Sequence, residues 1–192
     1  MIEILKKEIS ESIEVKQHLL NNHDNLIVLE KLVNDCIKSL KNGGKIIFCG
    51  NGGSFADSQH LTAEFISKLR FDRNPLPAIA LGTNSSNLTA IGNDYGFKFI
   101  FERELIALHG ANDIFIPIST SGKSENVIKA IRKANELGIK TYGLTGKNSE
   151  KMDDLCSTIK IQSSKTEKIQ ECHIMIGHII CSLVENEIFN GK

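Results

Sequence analysis

The chain has 192 residues, 23 Lys and Arg against 23 Asp and Glu, no net charge, 41% hydrophobic residues and only 3 prolines. That length suits one domain burying roughly 70% of the surface its unfolded form exposes. The charge balance excludes a basic surface built for nucleic acid, and five cysteines with no C-x-x-C pair exclude a disulfide scaffold or a structural zinc knot.

At the N-terminus Glu and Lys are scattered among apolar positions, which excludes a signal peptide, and no window is read as reaching the ~18 apolar residues of a membrane span. A cytoplasmic protein with reduced thiols is expected. Ile2, Leu5, Ile9 and Ile13 fall at helical spacing, as do Ile27, Val28, Leu32, Val33, Ile37 and Leu40, with a break at Asn21 to Asn25. Two helices over residues 1–40 follow. From Lys45 the pattern changes to short apolar runs: Lys45 to Cys49, Ala78 to Leu81, Asp113 to Ile118, Lys140 to Leu144 and Thr158 to Ile161. Between them lie helical stretches at Ser54 to Leu69, Asn87 to Ile91, Lys98 to Leu108, Ser124 to Leu137 and Met152 to Leu155. A last helix runs from Glu167 to Ile188, with Ser164 and Glu167 as a capping box. Strands alternating with helices and apolar on both faces belong in a covered parallel sheet. The expected fold is therefore a three-layer αβα sandwich, one domain over 1–192.

Ligands of open parallel sheets bind at the carboxyl ends of the strands, so the loops after each run carry the argument. The first is Gly50-Asn51-Gly52-Gly53-Ser54, which leads into a helix bearing Asp57, His60 and Glu64. Its glycines let backbone amides approach an anion or a polyhydroxyl chain at a helix N-terminus, although the run matches neither a P-loop nor G-x-G-x-x-G. The loop after the third strand, Ser119-Thr120-Ser121-Gly122-Lys123-Ser124, sets four hydroxyls at the start of a helix. An N-cap needs one hydroxyl, so four point to phosphate held by neutral donors. His60 and Glu64, four apart, share a helix face and can meet at one metal ion or one substrate atom, with an ordinary surface pair as the plain alternative. The final helix offers Gln170, Glu171, His173 and His178, with His178 set among Ile176, Gly177, Ile179 and Ile180, where a packed imidazole is the plain alternative. Arg70, Arg73, Lys123 and Lys165 are candidates to line the site, with a solvated surface as the plainer reading of each.

Together these strings, with Ala90-Ile91-Gly92-Asn93-Asp94 and Ile169-Gln170-Glu171 through His178, resemble the bacterial phosphoheptose (sedoheptulose-7-phosphate) isomerases of the sugar-isomerase, or SIS, superfamily. The resemblance covers nearly the whole chain. It implies a flavodoxin-like SIS fold with a five-stranded parallel sheet, and a homotetramer with active sites at subunit boundaries in which the N-terminal helices take part. The implied activity interconverts D-sedoheptulose 7-phosphate and D-glycero-D-manno-heptose 7-phosphate, the first step towards ADP-heptose or GDP-heptose. Carried over by residue, Asn51, Gly52, Gly53, Asn93 and Asp94 contact sugar, and Ser119, Thr120, Ser121 and Ser124 hold phosphate. His60, Glu64, Gln170 and His178 hold one zinc ion per subunit, Gln170 also touching substrate, with Glu64 and His178 as the acid/base pair. Phe55, Glu167 and Lys168 depart from the family pattern at the rim of the site. The alternatives are a non-catalytic SIS protein that associates with the replication initiator, which lacks the equivalents of Glu64 and His178, and an isomerase of another phosphosugar.

Positioned acid/base groups contribute about 10²- to 10⁴-fold, so an enediol route also needs its developing oxyanion stabilised; a metal ion and a phosphate anchor suit that need. Gln170 and His178 are eight residues apart, ~12 Å along a straight helix and about 80° around it, so ligands for one ion are expected from more than one chain.

Overall fold

The computed structural model describes residues 1–189, and of Glu150 the backbone alone. Its elements in chain order are α1 (Ile2–Leu20), α2 (His23–Lys41), β1 (Ile46–Gly50), α3 (Gly53–Ile66), β2 (Ala78–Ala80) and α4 (Ser85–Asp94). After a 3₁₀ turn at Phe97–Phe99 come α5 (Ile100–Leu108), β3 (Ile114–Ser119), α6 (Glu125–Glu136), β4 (Lys140–Gly146), α7 (Glu150–Asp153), β5 (Ser157–Ile161) and α8 (Thr166–Phe189). The five strands form one parallel sheet in the order β2-β1-β3-β4-β5. This is the flavodoxin-like doubly wound order, whose switch point lies between β1 and β3. The expected three-layer sandwich is what the chain forms.

Strand β1 shows why. Every residue from Ile46 to Gly50 is buried, and the period of two sends alternate side chains to opposite faces. Ile46 and Phe48 join one core with Leu32, Cys36, Leu61, Ile116, Leu144 and Ile176, which α2, α3 and α8 cover. Ile47 and Cys49 join a second core with Leu105, Phe115, Val127 and Ile131, beneath α5 and α6. Each large side chain so buried contributes about 1.5–3 kcal/mol. Register Gly50↔Ile118 sets the ends of β1 and β3 level, so the Gly-rich and Ser-rich loops emerge side by side.

Helix α1 is amphipathic in the reverse sense. Its charged side faces the start of α8: Lys16 pairs with Glu171 at 3.2 Å, Lys168 pairs with Glu8 at 3.5 Å, and Lys165 pairs with Glu11. Ile2, Leu5, Ile9 and Ile13 point outward, each more than half exposed. Lys168, one of the departures from the family pattern, is thus a tether for α1. Another, Phe55, packs beside Gly82.

Three expectations are corrected. Helix α3 stops at Ile66 rather than Leu69, where Arg73 takes the carbonyl of Phe65 in its last turn and that of Ser67 just past it. Helix α8 begins at Thr166, which puts Ser164 out of register for the capping box; Ser163 instead accepts from the Lys165 amide. Finally, α8 does hold a window of mean hydropathy 1.2, enough by length and composition to cross a membrane. Part of that apolarity goes to the core, where Ile169, Cys172, Ile176, Ile180 and Val184 are buried against the sheet and its neighbouring helices, while Ile179 and Leu183 stay exposed.

Candidate active site

The chain turns from β1 into α3 through Gly52, whose φ of 56° is a left-handed conformation that glycine adopts without strain. Gly53 is needed for space: a Cβ there would lie 2.4 Å from the side-chain nitrogen of Gln170. Asn51 is expected to contact sugar, but its amide is engaged with Asn126 in two reciprocal 2.9 Å hydrogen bonds. The pair ties the Gly-rich loop to the first turn of α6.

Helices α3 and α8 lie so close that a Cβ on Gly177 would come 2.4 Å from Leu61. That approach brings His178 to His60, Nε2 to Nε2 at 2.8 Å, with the rings edge to face. His60 Nε2 also lies 3.3 Å from Glu64 Oε1. Two imidazole nitrogens and a carboxylate oxygen thus stand within 4.8 Å of one another, a donor set suited to a borderline divalent ion. His178 is therefore not merely a packed imidazole. One chain supplies all three groups, so the expectation of donors from several chains is not needed for them. Gln170 is not hydrogen-bonded to the three among the described residues; its amide lies against Gly53.

Asp57, one turn before His60, is a residue to which sequence reasoning gave no role. Its Oδ2 is buried without a partner among the described residues. Burial raises its pKa to about 6, the nearby His60 lowering it only in part. Its position on the His60–Glu64 face was the legible sign.

At the carboxyl end of β3, Gly122 (φ 61°) folds the Ser-rich loop over Ser149. Ser124 occupies the N-cap position of α6 but makes no capping bond; its hydroxyl lies 3.2 Å from that of Ser119. The plain N-cap reading fails there; Asn126 Oδ1 takes the Val127 amide at 3.0 Å, and the amides of Glu125 and Asn126 are the ones left to an anion. A cavity of about 210 Å³ is lined by Thr120, Ser121, Lys123 and Lys147, with Ser163, Ser164 and Thr166 from the start of α8. Those last hydroxyls were missed from sequence beyond the capping box, although Ser163-Ser164-Lys165-Thr166 follows β5 as the Ser-rich loop follows β3. Asn93 and Asp94 sit apart on the exposed end of α4, bonded to each other at 2.8 Å.

A parallel sheet of this order, with a hydroxyl-rich loop after β3, defines the class: the SIS domain family matches residues 9–146, and the chain belongs to it. Over its full length it is 49% identical to the phosphoheptose isomerase of Aneurinibacillus thermoaerophilus and 47% identical to that of Clostridium acetobutylicum, covering 98% of each. A solved phosphoheptose isomerase from Francisella tularensis superposes with a TM-score of 0.90 at 32% identity, over 96% of this chain and 98% of that one. Within the SIS domains, the chain is a member of the phosphoheptose isomerase family.

Proposed function

We propose that the chain interconverts D-sedoheptulose 7-phosphate and D-glycero-D-manno-heptose 7-phosphate, opening a route to nucleotide-activated heptose. The observation that carries this reading is the meeting of His60, Glu64 and His178 in one cluster. A ketose becomes an aldose when a proton leaves C1, an enediol forms, and a proton returns to C2. Glu64 carries that proton in this reading, which is supported by His60 engaging its Oε1 and by its side chain being only 16% exposed. The His178 imidazole serves the neighbouring oxygens, giving and taking the hydroxyl proton as the double bond moves. Ser119, Thr120, Ser121 and Ser124 hold the phosphate and fix the chain of the sugar, and Gly52 and Gly53 meet its hydroxyls.

His60, Glu64 and His178, with Gln170 as the family likeness implies, would hold one zinc ion, which as a Lewis acid stabilises charge on the substrate oxygens. The donor chemistry fits that ion. We assign the working form as a homotetramer with sites at subunit boundaries. The outward apolar stripe of α1 supports this. Free thiols at Cys36, Cys49, Cys156, Cys172 and Cys181 agree with a cytoplasmic setting.

The test is turnover of sedoheptulose 7-phosphate in deuterated water by the wild type, Glu64→Gln and His178→Gln. Loss of about 10²- to 10⁴-fold is expected in both variants, with exchange at C1 abolished by Glu64→Gln. Full exchange in that variant would transfer the role of base to His178. A chelator should abolish turnover and added zinc restore it.

A further inference from the structure

Arg73 and Glu185 form an ion pair of 2.9 Å in which the two side chains are 2% and 1% exposed. Arg73 therefore neither lines the site nor faces solvent, contrary to the sequence reading. It grips the backbone on which the site is mounted. Its Nη2 donates to the carbonyl of Glu64 at 2.7 Å, and its Nη1 donates to the carbonyls of Phe65 at 2.7 Å, Ser67 at 3.1 Å and Asn74 at 3.1 Å. The last carbonyls of a helix have no partner within it, and a guanidinium both satisfies them and suits the negative end of the dipole. Glu185 in turn accepts from the amides of Leu69 at 3.2 Å and Arg70 at 3.0 Å. It stands seven residues past His178, on the same face of α8 two turns on. The Phe189 ring lies over the guanidinium at 5.6 Å.

One side chain thus joins the end of the helix bearing His60 and Glu64 to the helix bearing His178. Stability alone is a poor reason for the pair, since apolar replacements of buried ion pairs are often as stable. Fixing direction is a better one, because a planar fork can hold several acceptors at set angles and an ammonium cannot. We propose that Arg73 is a positioning residue: held by Glu185, it sets the last turn of α3 against α8 so that the Glu64 carboxylate faces His178. The inference rests on the isomerase reading of the His60–Glu64–His178 cluster.

The test compares full-length wild type, Arg73→Lys, Glu185→Gln and Glu64→Gln, by zinc affinity in competition with a chromophoric chelator and by kcat and KM for sedoheptulose 7-phosphate. In Arg73→Lys, zinc binding should weaken and kcat should fall by about ten-fold or more. KM should change by less than about two-fold, because Arg73 and Glu185 make no bond to the Ser-rich loop, and circular dichroism and oligomer size should stay those of the wild type. Glu185→Gln should move the same two quantities in the same direction. A folded Arg73→Lys protein with wild-type zinc affinity and kcat overturns the proposal while Glu64→Gln is impaired. If Glu64→Gln itself keeps zinc affinity and turnover, the reading of the site has failed instead. Failure of both pair variants to fold also overturns the proposal, since the pair then holds the chain together rather than aiming the site.

Discussion

His173 offers a quantitative check on the packing of α8. The side chain is fully buried, its Nε2–H donates to the Thr145 carbonyl at 3.2 Å, and Nδ1 has no partner among the described residues. Burial lowers its pKa from 6.5 to about 4, the bond to Thr145 raising it only in part. The unfolded chain therefore takes up a proton near pH 6.5 and the folded chain only near pH 4, so unfolding is favoured as the medium is acidified between those values. The contribution is intact above pH 6.5 and declines below it. For this single group, linkage gives a loss of about 2 kcal/mol at pH 5 and about 2.5 kcal/mol at pH 4.5. Replacing the imidazole by His173→Leu should remove that loss, whatever constant offset the missing hydrogen bond introduces. Urea unfolding at fixed protein concentration, at pH 7.5, 6, 5 and 4.5, would show the wild type losing about 2 kcal/mol more than the variant between pH 7.5 and 5. Equal losses in the two proteins would refute the reasoning and mean that the imidazole can be protonated in place.

Two further perturbations follow from close contacts. Gly177→Ala pushes a methyl group into Leu61 at the crossing of α3 and α8; it should cost about 1–3 kcal/mol in urea unfolding and lower kcat by parting His178 from His60. Tyr142→Phe removes the hydroxyl that donates to Asp35 Oδ2 at 2.6 Å and should cost about 1–3 kcal/mol. Burial alone would raise the Asp35 pKa, but the bonds from Tyr142 and Lys140 outweigh it and hold the carboxyl below its usual range. That stability is present at neutral pH and disappears as acid titrates the carboxylate, so without Tyr142 the acid unfolding limb should begin at a higher pH.

The strands were legible because burial on both faces leaves an unmistakable apolar run, and the loops at their ends because they concentrate glycine and hydroxyls. His60 and Glu64 could be paired from helical spacing, which is local. The arrival of His178 beside them depends on two helices crossing at Gly177, and no periodicity reports a crossing. Arg73 was misread for the same reason: in Arg70-Phe71-Asp72-Arg73-Asn74 it looks like a loop cation, and its partner Glu185 lies far along the chain. The bracing of Asn51 by Asn126 is hidden in the same way, because the two amides lie 75 residues apart in the chain.

The inverted polarity of α1 bears on how this chain behaves when scarce. Its charges are spent inward on Lys165, Lys168 and Glu171, next to Gln170, and its greasy ribbon is what a solitary copy shows to water. In the proposed tetramer dilution would uncover that ribbon, and added salt would screen the ion pairs on the other side of the same helix, so crowding and ionic strength would pull on a single strut.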